Sequence, residues 1–244
     1  MRDIEKYTID YSENGFEVIQ EMYRRKKLLE ILKKYNPKNI LDIGCGMKPI
    51  FTEMNCIDYE KYTCIEPSIN FYKNATVMAS DNKRVECIND FYPSKKLQNI
   101  KYDFIICSSL LHEIEDQPAF IKAIFENCTS STKVYFCVPN ANSFHRIIAQ
   151  RMGVIKELKE FTERNKRLQQ HNVFDFESLK QLLEENRFSI TESGSFFMKP
   201  FTHKQMYTAL TEGIIDESVL DGLYNCSIDF PDNGSELYIV AEVQ

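Results

Sequence analysis

Phe104-Ile105-Ile106-Cys107 is an unbroken apolar run, and it narrows the choice of fold more than any other stretch of the chain. A strand with one face in water alternates apolar and polar residues. A strand apolar at every position needs cover on both faces, as inside a parallel sheet. Similar short runs recur. Ile40-Leu41-Asp42-Ile43, Tyr62-Thr63-Cys64-Ile65, Arg84–Ile88 and Val134–Val138 read as strands, and Phe188–Phe197 and Glu236–Val243 add two more near the C-terminus.

Between the strands the apolar spacing changes to three and four. Phe16, Ile19, Tyr23, Leu28, Ile31, Leu32 and Tyr35 predict a helix over about 16–35, ended by Asn36-Pro37. A second is expected over about 67–79, with Pro67 in its first turn. Asp116 and Pro118 open a third, in which Ile121, Ile124, Phe125 and Cys128 share one face. Ser143 to about Arg151 forms a fourth, stopped at Gly153 and followed by a charged stretch to Gln170. Asp175 caps a fifth carrying Phe176, Leu179, Leu182 and Leu183, with Asn186 as a left-handed terminator. Residues 203–223 also have helical character. Strand and helix alternate as far as Pro139, so the expected class is α/β with helices on both faces of a parallel sheet.

A length of 244 residues suits one domain, 1–244, with an N-terminal segment and helix over 1–36. Two inserted elements, 140–174 and 198–235, are placed to cover its ligand edge. The formal charge of −6 argues against a surface built for nucleic acid. None of the eight cysteines is spaced Cys-x-x-Cys, and Cys64, Cys87, Cys107 and Cys137 sit in or just after apolar runs, so buried reduced thiols are expected. The charged start Met1-Arg2-Asp3-Ile4-Glu5 and the lack of any apolar run near ~18 residues point to a soluble, cytoplasmic protein with no membrane span.

In an open parallel sheet, ligands bind beyond the carboxyl ends of the strands. The first strand ends in Gly44-Cys45-Gly46, a turn that leaves no side chain between backbone and ligand, with a helix expected next. Glu66 ends the second strand, twenty residues past Gly46, and is placed to accept two ribose hydroxyls. Asn89-Asp90-Phe91 ends the third: Asp90 can take an amino proton of adenine while Phe91 offers its ring an apolar surface. Ser108, Ser109 and His112 follow the fourth. Asp42, inside an apolar strand, needs backbone amides or a ligand ammonium as partners. These groups together describe an adenosine pocket with no evident phosphate cradle.

The same residues carry a family resemblance. Leu41-Asp42-Ile43-Gly44-Cys45-Gly46, Glu66, Asp90 and the strand Tyr102-Asp103-Phe104-Ile105-Ile106 resemble the class I S-adenosylmethionine-dependent methyltransferases over about 38–140 and the last two strands. The resemblance implies a Rossmann-like, seven-stranded, mostly parallel sheet with an antiparallel last strand, plus helical insertions. It also implies S-adenosylmethionine as cofactor and S-adenosylhomocysteine as product. Carried over by position, Asp42, Gly44, Cys45 and Gly46 face the methionine part, Glu66 and Pro67 the ribose side, and Asn89, Asp90 and Phe91 the adenine. Ser108, Ser109 and His112 match the segment beneath the sulfonium. Many members have a third small residue in the turn; here Lys48 stands there, followed by Pro49. Pro139–Arg146 and Gln169–Phe174 are similar to a branch that tailors bacterial surface polysaccharide, including O-methyl phosphoramidate capsule decoration.

Such chemistry predicts a small-molecule acceptor, an oxygen being favoured; the oligomeric state is not encoded legibly. A hydroxyl acceptor calls for a general base near neutrality. His112, directly after the fourth strand, is the first candidate, and His145 and His171 in the first insertion are base or substrate contacts. His203 is the remaining histidine. No carboxylates or Cys/His pairs follow the fourth strand in a metal-binding pattern, so no metal is expected. Arg24-Arg25-Lys26-Lys27 reads as a solvated helix face, unless an arginine there reaches a carboxylate of the cofactor or an anionic substrate. Tyr7 and Tyr11 suit either a lid or a free tail. A nicotinamide oxidoreductase would want Gly or Ala where Pro49 stands. A non-catalytic cofactor-binding module is the other class compatible with the motifs.

Overall fold

The computed structural model describes Ile4 and residues 15–244; Tyr7 and Tyr11 lie outside the described residues. Seven strands form one sheet: β1 (Asn39–Ile43), β2 (Lys61–Ile65), β3 (Val85–Ile88), β4 (Tyr102–Ser108), β5 (Cys128–Pro139), β6 (Phe188–Phe196) and β7 (Glu236–Val243). Their order is β3-β2-β1-β4-β5-β7-β6. β7 runs antiparallel to both neighbours, and the other pairings are parallel, so the last strand alone is reversed. The strand order reverses beside β1 and β4, which puts the ends of these two strands at the crevice of the sheet.

Among the described residues from 15 onward, eight helices accompany the strands: α1 (Phe16–Tyr35), α2 (Ile69–Met78), α3 (Gln117–Glu126), α4 (Phe144–Arg151), α5 (Glu163–Arg167), α6 (Phe176–Glu185), α7 (His203–Thr211) and α8 (Glu217–Asn225). Residues alternate between two apolar layers. Ile40, Phe104 and Ile106 pack with Tyr23 and Leu32 of α1 and with Met206, Leu220 and Tyr224 of α7 and α8. Leu41, Ile105 and Phe136 pack on the other face with Ile121 of α3 and Leu179 and Leu183 of α6. Full burial on both faces accounts for the unbroken apolar runs. The 198–235 insertion packs largely into one cover layer, and Lys199, the start of α7 and Ser235 reach the ligand edge.

Several boundaries differ from expectation for local reasons. No α-helix joins β1 to β2; a 3-10 turn, Ile50–Glu53, replaces it. Pro49 is extended (φ −56°, ψ 138°), and Ile50, Phe51, Met54 and Ile57 fill the gap by burying into the α1-side layer. Pro67 stays outside α2, because Ser68 is the cap and accepts from the Phe71 N–H. Cys128 begins β5 instead of extending α3: the Asn127 amide donates to the Leu97 and Ile100 carbonyls, and residue 128 pairs with Tyr102. The left-handed residue after α6 is Arg187 (φ 69°), not Asn186 (φ −104°). Arg24 and Arg25 are mostly buried, with side chains 11% exposed, and do not form a solvated face. All eight cysteines are free thiols. Among the described residues no helix is long and apolar enough to cross a membrane.

Gly234 shows how closely the chain packs before β7. A Cβ there would lie 2.4 Å from the Phe196 nitrogen and 2.5 Å from its oxygen, both main-chain atoms. Gly234→Ala should therefore destabilise the protein by about 1–3 kcal/mol. Gly222→Ala in α8, where nothing lies within 4 Å, should be neutral or stabilising by up to about 1 kcal/mol. Urea unfolding of both variants checks this; equal midpoints would contradict it.

Candidate functional site

The carboxyl ends of β1, β2 and β4 enclose a cavity of about 140 Å3. Gly44 and Gly46 turn the chain there with φ 76° and 64°, in the left-handed region that favours glycine. A Cβ on Gly46 would meet nothing within 4 Å, so conformation and not crowding demands glycine. Glu66, 5% exposed, holds the turn in place. Its Oε2 accepts the Gly46 N–H at 3.1 Å and its Oε1 the Ser68 N–H at 2.9 Å, joining the turn to the end of β2. Beyond Gly46 the loop is pinned from two sides: the Arg25 guanidinium donates to the Lys48 carbonyl and to Glu53, and the Asn74 amide to the Met47 carbonyl.

Asp42 lies under the turn, 4% exposed, and accepts a hydrogen bond from the Tyr62 hydroxyl. Burial pushes its carboxyl up to about 7 and the charge of Glu66 adds to this, while the Tyr62 hydrogen bond and Arg25 pull it down. Near neutrality it is therefore poised to ionise when a cation arrives beside it.

Asp42, Gly44, Cys45, Gly46, Glu66, Pro67, Ser108 and Ser109 all line this cavity. The structure does not bring Asn89, Asp90 and Phe91 to its wall. Asn89 instead donates to the Glu66 and Pro67 carbonyls. Asp90 accepts from Ser94 and from the Phe91 N–H, which holds its carboxyl below the usual range, and Phe91 is 47% exposed.

A second cavity, of about 610 Å3, adjoins the first. Arg24, Ser109 and Glu113 line both, so the two spaces meet at these side chains. His112 and His145 line the second cavity, as does His203. His171 does not: its side chain is exposed, and its contribution is a main-chain N–H donated to the His112 carbonyl at 2.9 Å. Asn172 donates to the same carbonyl at 3.1 Å, so the end of the first insertion straps the turn Leu111–Glu113. His112 and Glu113 are both buried, with 3.9 Å between the imidazole Nε2 and a carboxylate oxygen.

Sequence reasoning missed Glu113 and the polar floor of the second cavity. Glu236, 0% exposed, accepts from Arg24 at 2.7 Å and from the Gln20 amide at 2.6 Å. That orientation leaves the Gln20 oxygen as acceptor for Lys199 at 3.1 Å and His203 Nε2 at 2.8 Å, so His203 carries its proton on Nε2. The available signal was the spacing of Gln20 and Arg24, one helical turn apart on α1. No group of three or more His, Cys, Asp or Glu suited to a metal occurs among the described residues.

Asp42 makes a pH-dependent prediction. The folded protein keeps its proton up to about pH 7, whereas the unfolded chain releases it near 4. The folded state therefore binds more protons across that window, and the stability Asp42 confers falls as pH rises through it. Asp42→Asn should be more stable than the wild type by about 2–4 kcal/mol above pH 7, with the difference shrinking towards pH 4. Urea unfolding at several pH values measures it; a pH-independent difference would contradict the assignment.

Comparisons with known proteins bear on this geometry. Residues 13–193 match the family described as Methyltransferase domain (Methyltransf_23). No protein of curated function matches the chain significantly in sequence. Among solved structures, a putative S-adenosylmethionine-dependent methyltransferase from Listeria monocytogenes superposes with a TM-score of 0.61 at 16% identity, covering 92% of this chain and 99% of that one. The plantazolicin methyltransferase BamL, solved with a triazolic desmethylPZN analogue and S-adenosylhomocysteine, gives 0.58 at 16% identity, covering 93% and 88%. The [4+2]-cyclase SpnF gives 0.58 at 12% identity, covering 89% and 80%. These likenesses concern the fold. The match over most of the sequence shows that the chain belongs to the methyltransferase-domain family.

Proposed function

We propose that this protein transfers a methyl group from S-adenosylmethionine to an oxygen of a small-molecule acceptor. The observation that carries this reading is the pair of adjoining cavities meeting at Ser109 and Glu113, one built on a glycine turn with a buried carboxylate and the other lined by histidines. The residues present fit the cofactor. Gly46 leaves open space where a Cβ would stand, and Asp42 is a buried carboxyl suited to an ammonium. Asp42, Gly44, Cys45 and Gly46 would hold the methionine part. Glu66 would accept from the ribose hydroxyls, a carboxylate having about four acceptor sites of which the two N–H groups take two. Pro67 would flank the adenine, and Asn89, Asp90 and Phe91, which lie off the cavity wall, would meet it only beyond the cavity's rim.

When bound, S-adenosylmethionine supplies an electrophilic methyl group on a sulfonium whose charge is lost on transfer. Ser108 and Ser109 would close the floor on the sulfur side and exclude water. His112 is the base that takes the proton of a hydroxyl acceptor, with Glu113 beside it to stabilise the imidazolium. His145 would position the acceptor. An already ionised acceptor oxygen would need no base, and both histidines would then only orient it.

The acceptor we favour is a nucleotide-linked, sugar or phosphoramidate precursor of bacterial surface polysaccharide. Support comes from the segments similar to that branch, since Pro139, Asn140, His145, Arg146 and Gln170 line the larger cavity. Its volume of about 610 Å3 is in the range for a small molecule.

Isothermal titration tests the cofactor. S-adenosylmethionine and S-adenosylhomocysteine should bind and NAD should not; Glu66→Ala should weaken binding by about 2–3 kcal/mol. NAD binding alone, or an unchanged variant, would refute the assignment. With an acceptor in hand, His112→Ala should lower kcat at least about 100-fold with the cofactor Kd unchanged. Wild-type turnover across pH would remove the base role. A non-catalytic module would bind the cofactor yet methylate no candidate acceptor.

A further inference from the structure

The larger cavity has a sign. In a chain of formal charge −6, its wall carries four basic side chains, Arg24, Arg146, Lys199 and Lys204, against three carboxylates, Glu17, Glu113 and Glu236. Two of those carboxylates are engaged with Arg24: Glu236 at 2.7 Å and Glu17 at 3.4 Å. Glu113 sits at the boundary between the two cavities. On the side formed by α4 the basic group is Arg146.

Arg146 is the centre of that side. Its Nε donates to the Leu158 carbonyl at 2.8 Å and its Nη2 to the Glu160 carbonyl at 2.7 Å. A guanidinium has five N–H donors. Two are therefore anchored on main chain and three are not used by the described residues. Neutral carbonyls fix the plane of the group; the Glu160 carboxylate is near enough to favour its charge, but among the described residues none lies at ion-pair distance. An anchored fork of this kind suits a planar or tetrahedral oxyanion.

A second, independent feature lines the same cavity. Ser235 is 2% exposed, lines the cavity, and its hydroxyl has no hydrogen-bond partner among the described residues. An unpaired buried hydroxyl costs free energy unless a ligand completes it. Ser235 is tied to the Arg146 side through main chain: its carbonyl accepts from Asn140, and the nearby Asn233 carbonyl accepts from Phe144 at the start of α4. The buried ammonium of Lys199, which donates to the neutral Gln20 amide, lines the same space.

We infer that this cavity recognises its acceptor through an anionic oxygen group, phosphoryl or carboxylate, bound by Arg146 with the Ser235 hydroxyl. The inference rests on the methyltransferase reading for the word acceptor, but the anion subsite is testable without it. Seated there, the anion would fix one end of the acceptor while its nucleophilic oxygen reaches the junction at Ser109 and Glu113.

Glycerol 3-phosphate, glycerate and glycerol share a skeleton and differ in charge. Each is titrated into the full chain by calorimetry, with and without saturating S-adenosylhomocysteine. At least one anion should bind tenfold or more tightly than glycerol, and preference between the two names the phosphoryl or the carboxylate source. Arg146→Gln should cut that affinity about tenfold or more, and Ser235→Ala, which removes a hydroxyl with no structural partner, about three- to fivefold. S-adenosylhomocysteine affinity should be unchanged in both variants. Equal binding of all three probes, binding of none, or undiminished anion affinity in both variants would overturn the inference. Failure of S-adenosylhomocysteine to bind would instead count against the methyltransferase reading, the anion preference being scored separately in its absence.

Discussion

The buried pair between Arg24 and Glu236 is the interaction around which the ligand edge is arranged. Both groups are largely removed from water, and moving such charges out of solvent costs several kcal/mol each. The cost is offset by close geometry and by the further partners of Glu236, although the buried Arg24 Nε has no hydrogen-bond partner among the described residues. Glu236 also takes the Gln20 amide, and Cys137 lies 3.7 Å from its other oxygen. Burial alone would lower the Arg24 pKa, but the two carboxylates beside it raise it, so the charge persists. Glu236 opens the reversed strand β7 opposite Pro139, the last residue of β5. One ion pair thus fixes α1 over the point where the sheet changes direction.

This placement separates the two cavities. Arg24 lines both, and behind it Gln20 connects Glu236 to Lys199 and His203 on the insertion that carries α7. The parallel strands and the glycine turn build the first cavity. The second, proposed as the acceptor side, is lined by α1, the 140–174 insertion, Lys199, the start of α7 and Ser235 and Glu236 at the start of β7. Fold membership therefore speaks to the first cavity, while the chemistry of the second has to be argued from its own side chains.

The division follows what the sequence made legible. Signals that act within a few residues were readable: the apolar runs of β1, β2 and β4, the caps Asp116 and Asp175, and the positive-φ glycines at 44 and 46. Where a local pattern competed with a tertiary demand, it misled. Cys128 continues the α3 periodicity, yet pairing with β4 claims it for β5. The helix expected after Gly46 gives way to a 3-10 turn because Pro49 and four apolar residues close the gap more tightly. The polar network was out of reach altogether, since Gln20 and Glu236 are 216 residues apart and each is unremarkable locally. His171 shows the converse: a residue type that suggests chemistry, used here through its main chain.

The central claim is that the turn at Gly44–Gly46 forms one wall of a methyl-donor pocket which opens at Ser109 and Glu113 onto a separate acceptor cavity. A crystal structure with S-adenosylhomocysteine tests it most directly. The account predicts the ribose hydroxyls on Glu66, the homocysteine end against Asp42 and the glycine turn, and the sulfur facing the larger cavity. Ligand bound elsewhere, or a sulfur directed away from that cavity, would contradict it.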